Sequence, residues 1–512
     1  MSGSPGIAIR ELDVVAIVAY LGAMLAIGLY FARRNNTTEE YFVGNRSFPG
    51  WAIGLSMLGT IISSGTFLAL PAAAFVLDWR QLSINLVLPF VAILAIVVFI
   101  PFFRRSGLTS AFEYLGERYG TGPRMYGVAS FVVMQLIRMA QILFLVALPI
   151  QFLTGVSIET VIIVAGVIVA MYTIVGGIDA VIWTDVLQTI ILMFGGAMCF
   201  ALIVWDLPGG VSQVFEVGAA HHKFSLGSFE FDFARRTFWT VSILGIVNWL
   251  TIYASDQNLV QRYAAARSTR EARKATAIYS IIALPLWTFF FLMGTALFVY
   301  YQQFPDPAIS ALQPDQVLPH FILTRVPAGV AGLVVAAIMA AAMSSLDSGV
   351  NSISTVVVVD LLKPFLCKGR DDRFYLRAAR LLGLAIATTM ILGAIAFSRM
   401  EKESMNDVSL MVTSVFGGCV MGLFMLGFFT RRVDGTSATI AIGCAILFNI
   451  YLVLSVAGRV PEPYGLGVHS YWIGPLVNLV FIILAYGLSL LRGAPIRPQP
   501  GLTVWTTEKA TQ

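Results

Sequence analysis

Thirteen stretches of this chain run for roughly 18 or more residues with almost no charge. They lie near 12–32, 50–76, 82–103, 124–154, 158–176, 181–205, 238–255, 276–301, 328–359, 376–398, 407–430, 436–457 and 470–491. A hydrocarbon core of about 30 Å is crossed by about 20 helical residues, so each run is long enough to span it. The runs are continuously apolar and longer than the roughly ten residues of a barrel strand, which excludes strands as spans. Apolar residues make up 58% of the chain and charged residues 12%, against about 25% charged in a soluble domain. The expected fold class is an all-α polytopic membrane protein of about 13 transmembrane helices. The polar insertions near 206–236, 302–326 and 360–375 are too short for a soluble domain.

The distribution of Lys and Arg sets the expected orientation. With the N-terminus outside, 23 of the 33 basic residues fall on inner segments and nine on outer ones. Arg262, Arg118, Arg431, Arg432 and Arg492 are counted inside, and Lys223 outside. Only Arg138 is left within a span. The split predicts a cell (inner or plasma) membrane protein with its N-terminus outside and its C-terminus cytoplasmic. The N-x-S/T patterns at Asn35, Asn36 and Asn45 fall on the inner side, so no glycan is expected there. Glu11 and Asp13 precede the first run and no A-x-A site follows it, which reads as a permanent span rather than a cleaved signal.

The net charge of +5 carries no arginine stripe interleaved with aromatics, so no nucleic-acid partner is expected. Cys199, Cys367, Cys419 and Cys444 form no C-x-x-C pair, and His221 and His222 have no ligand at metal spacing. Neither a phosphate loop, a dinucleotide fingerprint nor a nucleophile–base pair occurs, so an enzyme is not expected and no catalytic residue is assigned.

The informative residues are polar ones inside spans. In 50–76, Gly54, Gly59, Gly65 and Pro71 punctuate a helix whose centre holds Ser63, Ser64 and Thr66. A helix unwound there would free carbonyls at mid-membrane, tolerable only against a cavity or a cation. The alternative is a kinked helix at a close packing contact. In 328–359, Ala341, Ser345 and Ser348 recur at i, i+4, i+7, with Ser344, Asp347 and Ser348 on the adjacent face. Hydroxyls and a carboxylate so placed make a hard-oxygen surface suited to Na⁺, unless Asp347 is a solvated helix end. Asp185 poses the same choice in the sixth run. Arg138 should face the bundle interior and meet an anion, either Asp185 or a substrate carboxylate, which guanidinium binds bidentately.

The segments EEYFVGNRSFPGW, LTSAFEYLGERYG, GGIDAVIWTDVLQ, NLVQRYAAARS, GTALFVYYQQ, AAAMSSLDSGVNSIST and GGCVMGLFMLGFF together resemble the sodium:solute symporter family, from about Leu12 to Ala438. Within it the likeness is strongest to bacterial sialic-acid symporters. The resemblance implies one transporter domain, 1–492, with a LeuT-type core of two inverted five-helix repeats. These would be 50–205 and 238–430, with an extra helix at 12–32, two more in 436–491, and a cytoplasmic tail at 493–512. It implies Na⁺ as coupling ion, held by Gly59, Ile62 and Ala341 carbonyls and Ser344 and Ser345 hydroxyls. It implies a second Na⁺ at Asp185, Ser344, Asp347 and Ser348, where Asp347 departs from the hydroxyl expected and could admit a proton instead. The implied substrate residues are Ser63, Thr66, Gln81, Asn85 and Arg138. Ile61 stands where a threonine is expected and Asn85 where a glutamine is. The implied function is Na⁺-driven import of a small organic anion such as sialic acid by alternating access, across a lipid bilayer and with no obligatory protein partner. A sodium–sugar or sodium–amino acid symporter, a passive facilitator and a membrane sensor are the alternatives.

Overall fold

The computed structural model describes residues 10–32, 36–400, 416–461, 463–493 and 501–505. Among them the chain is helical, and the one β-contact is an isolated bridge between Phe48 and Ala266. The helices are α1 (Glu11–Ala32), α2 (Gly50–Ile61), α3 (Ser64–Val76), α4 (Trp79–Ser106), α5 (Ala111–Tyr119), α6 (Thr121–Thr154), α7 (Ile158–Asp206), α8 (Gly210–Ala220) and α9 (Phe238–Ser255). They continue with α10 (Gln257–Ala265), α11 (Thr269–Gln303), α12 (Val317–Arg325), α13 (Val330–Val356), α14 (Asp372–Arg399), α15 (Val420–Phe429), α16 (Gly435–Val456) and α17 (Ile473–Leu491).

Ten of these segments are long and apolar enough to cross a bilayer, and the bent pair α2–α3 is an eleventh. The remaining difference from thirteen has two sources. The runs expected at 158–176 and 181–205 form one continuous 49-residue stretch, two helices that meet at a kink with no loop between them. At 1.5 Å per residue it would extend about 74 Å if straight, far more than one crossing needs. The two helices meet at a single residue, Gly177, whose φ 56 and ψ −156 are non-helical. A Cβ there would also meet the Tyr41 ring at 2.8 Å, so glycine meets both the dihedral and the packing constraint. The run near 407–430 is the second source. Its residues 407–415 lie outside those described, as do Asn35 and most of the tail at 493–512, and α15 alone is short.

The break in the second run forms as the sequence suggests. Ile62 (φ −85, ψ 106) and Ser63 (φ −104, ψ 178) are extended, and α2 and α3 meet at 58°. Further along α3, Pro71 pushes its backbone against Gly294 of α11, where a Cβ would lie 2.2 Å from the Pro71 carbonyl oxygen. Gly294 therefore lets the two helices approach despite the proline.

Helix α13 is the axis of the bundle. It packs against α1, α2, α6, α7 and α14, and 89% of its most apolar window is buried. A helix with almost no lipid face can carry Ser344, Ser345, Asp347, Ser348 and Asn351 where a peripheral span could not. Its N-terminus is capped from another helix. Asp13 Oδ1 of α1 accepts from the amides of Gly329 at 2.7 Å and Gly332 at 2.8 Å, and Arg10 pairs with Asp13 at 2.6 Å. A carboxylate at a helix N-terminus satisfies orphan amides and opposes the helix dipole. Asp13→Ala is expected to cost about 1–2 kcal/mol and lower the thermal midpoint in detergent. An unchanged midpoint would show that α1 does not anchor α13.

Candidate ion and substrate site

A helix that stops in mid-membrane leaves its last carbonyls without helical partners. At the end of α2 two of them are met by α13. Ser344 Oγ donates to the Gly59 carbonyl at 2.9 Å, and Ser345 Oγ donates to the Thr60 carbonyl at 3.0 Å. Ser344 also reaches the Ala341 carbonyl at 3.3 Å. Gly59 lets α7 close on the same end of α2, since a Cβ there would lie 2.7 Å from Thr189 Oγ1. Gly59, Ala341, Ser344 and Ser345 thus form one cluster of hard oxygens, and Ile62 sits at the break beside it.

One turn deeper lies a charged network. Arg262 of α10 donates to Asp185 Oδ2 at 2.7 Å, and both side chains are 0% exposed. Ser56 of α2 donates to the same Asp185 oxygen at 2.5 Å and accepts from Arg262 Nε at 2.8 Å. The guanidinium also donates to Ser348 Oγ at 2.7 Å and to the Asn258 carbonyl at 2.8 Å. Thr60 and Ser348 hydroxyls meet at 2.9 Å, which joins the network to the broken helix. Asp347 accepts from Tyr172 Oη at 2.8 Å and more weakly from Thr184 Oγ1 and Ser348 Oγ, both at 3.4 Å. Asp185 Oδ1 has no hydrogen-bond partner among the described residues. Two buried carboxylates therefore face one buried guanidinium.

Among the second-site residues, Asp185, Asp347 and Ser348 are joined through Arg262, whereas Ser344 turns to the Gly59 carbonyl instead. Asp185 takes Arg262 as its partner, so Arg138 is not the cation that neutralises it. Nor is Arg138 the deepest charge. It is half-buried on α6, while Arg262, counted as an inner-loop residue from its linear position, has no exposure at all. The reason is that α10 restarts immediately after an extended Asp256 and tucks under α2 and α13. Lys223, counted outside, is likewise buried. Its Nζ donates to the Phe75 and Leu77 carbonyls at 2.7 and 3.0 Å and so caps the C-terminus of α3.

The substrate candidates come from three elements. Ser63 begins α3 and Thr66 lies one turn into it. Gln81 and Asn85 lie in the first turns of α4, which pack on α9, where Trp249 Nε1 donates to the Ile84 carbonyl at 3.1 Å. Arg138 lies one turn from Gln135, whose amide packs at Gly349 of α13. Among the described residues, the Arg138 side chain makes no hydrogen bond and no ion pair, and no side-chain hydrogen bond joins these five residues to one another. Ser56, Thr60, Tyr172, Thr184 and Arg262 were not singled out from sequence. NLVQRYAAARS held the signal for Arg262, a charge inside a segment that alternates with apolar and small residues.

This arrangement is a broken helix fastened through hydroxyls to a buried polar helix within a polytopic helical bundle. Comparison with known proteins identifies the family. The model of the sodium:solute symporter family matches residues 41–443, and the chain belongs to that family. It is 34% identical over 438 residues to the sodium/sialic acid symporter NanT of Aliivibrio fischeri, covering 85% of this chain and 86% of that one. It is 31% identical to the sodium/sialic acid symporter SiaT of Proteus mirabilis, covering 92% and 93%. A solved substrate-bound, outward-open Na⁺-coupled sialic acid symporter superposes with a TM-score of 0.86 at 31% identity, over 94% of this chain and 98% of that one. The nucleobase-cation symporter Mhp1, at 14% identity and TM-score 0.53, shares the fold alone. The protein is a multi-pass, LeuT-type sodium-coupled symporter with Na⁺ as coupling ion and a small-molecule solute as cargo; it is a transporter and not an enzyme.

Removing one member of a buried ion pair strands the other, at a cost of about 3–5 kcal/mol. Arg262→Gln is therefore expected to lower the thermal midpoint sharply, and Asp185→Asn added to it should recover much of the loss. Strictly additive effects in this double-mutant cycle would show that the pair is not coupled.

Proposed function

We propose that this symporter imports a carboxylated solute of the sialic-acid class together with Na⁺. The observation that carries the reading is Arg138. It is a span guanidinium with no hydrogen bond or ion pair among the described residues, while Asp185, its one candidate protein partner from sequence, is held by Arg262. A planar fork free of an internal carboxylate suits a substrate carboxylate. The names of the relatives point the same way, since NanT and SiaT are sialic acid symporters. Ser63, Thr66, Gln81 and Asn85 would hydrogen-bond the remainder of the solute. Ile61 and the shorter Asn85 offer fewer bonds than threonine and glutamine would, which favours a less hydroxylated or smaller acid within the class.

The coupling Na⁺ would sit among the Gly59, Ile62 and Ala341 carbonyls and the Ser344 and Ser345 hydroxyls. In the described state the two hydroxyls donate to the ends of α2. Na⁺ would take their lone pairs and the carbonyls at once, so the hydroxyl protons must turn away. The ion would then hold α2, α3 and α13 in one arrangement and order Ser63 and Thr66 for the solute. A second cation would be drawn to the site of Asp185, Ser344, Asp347 and Ser348, where two carboxylates face one guanidinium. Asp347 fits either a second Na⁺ or a proton there. With the N-terminus outside and the C-terminus cytoplasmic, as the basic residues suggest, each net charge entering down a 100 mV potential contributes about 2.3 kcal/mol to uptake.

Ser345→Ala removes one ion ligand and keeps helix propensity. It is expected to raise the Na⁺ concentration for half-maximal uptake about tenfold, as the loss of one hydrogen-bonding ligand implies. An unchanged Na⁺ dependence would remove Ser345 from the site. Arg138→Lys retains charge and loses the fork. It should abolish stabilisation by N-acetylneuraminic acid in thermal-shift assays while stabilisation by Na⁺ persists. Equal stabilisation of the wild-type protein by the acid and its amide would overturn carboxylate recognition.

A further inference from the structure

On the arginine-rich side of the bundle, away from the ion site, a cavity of about 850 Å³ opens between the α5–α6 turn, the segment joining α15 to α16, and the end of α17. Four arginines line it, Arg118, Arg431, Arg432 and Arg492, against two acids, Glu117 and Asp434. Asp434 is already engaged. It caps α16 through the Thr436 amide at 3.2 Å and accepts from Ser489 at 3.3 Å. Arg118 forms the floor. It is 4% exposed and donates to the Val433 and Thr430 carbonyls at 2.9 Å each, yet its buried Nε has no acceptor among the described residues. Arg432 and Arg492 are exposed and their side chains make no hydrogen bond or ion pair among the described residues. The 34-residue α6 begins at this cavity behind Gly120, with no side chain capping its first turn. Its orphan amides add positive potential to that of the guanidinium groups. The chemistry is that of a phosphate site.

The surroundings point to where the phosphate comes from. Leu491, next to Arg492, is 86% exposed, and Ile440, next to the lining residue Thr439, is 43% exposed. Both are apolar side chains on spanning helices and so face lipid. Trp505, whose carbonyl accepts from Arg431 at 3.1 Å, is 60% exposed, as an indole at a membrane interface would be. The cavity therefore lies at headgroup level, beside the acyl chains. We propose that it is a binding site for the phosphate headgroup of an anionic phospholipid, with Arg432 and Arg492 as the mobile cations, Arg431 beside them and Arg118 Nε as the fixed donor.

Native mass spectrometry of the detergent-purified full chain, titrated with phosphatidylglycerol, cardiolipin or phosphatidylcholine, tests this. The wild-type protein should retain the anionic lipids in preference to phosphatidylcholine. In Arg432→Gln/Arg492→Gln, two exposed changes that leave Arg118 and the helix packing intact, retention should fall about thirtyfold, from roughly fivefold per arginine at a membrane surface. Thermal shift on the same samples shows whether the variant is folded, through stabilisation by Na⁺. Retention of anionic lipid equal in variant and wild type would overturn the proposal. So would displacement of the lipid by an equal concentration of inorganic phosphate, because that would identify a site for free phosphate rather than for a lipid headgroup.

Discussion

A helix interrupted inside a bilayer exposes carbonyl groups that lipid cannot satisfy, and everything central in this protein is arranged around that constraint. The carbonyls of Gly59 and Thr60 are met by Ser344 and Ser345, and this requires a partner helix that is polar on the facing side and buried on every other. Helix α13 meets the requirement because α1, α2, α6, α7 and α14 enclose it. Gly349, and the Asp13 cap at its N-terminus, set how near α6 comes and where α13 stands along the bundle. A hydroxyl–carbonyl contact is also exchangeable. The oxygens that bond to one another in the described state are of the type that coordinates Na⁺, so Na⁺ at the proposed site would replace one set of contacts with another.

Arg262 connects this junction to the rest of the bundle. Its guanidinium touches α2 through Ser56, α7 through Asp185 and α13 through Ser348, so movement of any one helix is felt by the other two. A buried pair of this kind adds little net stability but strongly opposes states in which one partner is left alone. Asp347 beside it, hydrogen-bonded to Tyr172, leaves the cluster with more carboxylate than guanidinium. That imbalance gives a cation a reason to enter.

Much of this was legible in the sequence because the relevant signals are local. Continuous apolar runs gave the helical spans. Gly59, Ser63, Ser64 and Pro71 marked the broken helix, and the i, i+3, i+4 spacing of Ser344, Asp347 and Ser348 marked its partner. What was not legible depends on packing between distant segments. The kink at Gly177 uses one residue and leaves no polar loop, so the two helices were legible as two apolar runs but the way they join was not. Arg262 lies in a nine-residue helix too short and too polar to read as buried, and only its position beneath α2 and α13 removes it from water. Counting it as a loop charge made Arg138 look like the deepest cation and Asp185 look free to be its partner.

The central claim is that Na⁺ acts at the junction of the broken helix with α13, and hydrogen–deuterium exchange tests it most directly. In the purified transporter without solute, Na⁺ at the break predicts slower exchange in peptides covering 59–66 and 341–348 than in an equal concentration of K⁺, with the ends of α16 and α17 unaffected. Exchange at both segments that is the same in Na⁺ and K⁺, or protection by Na⁺ confined to other helices, would contradict it.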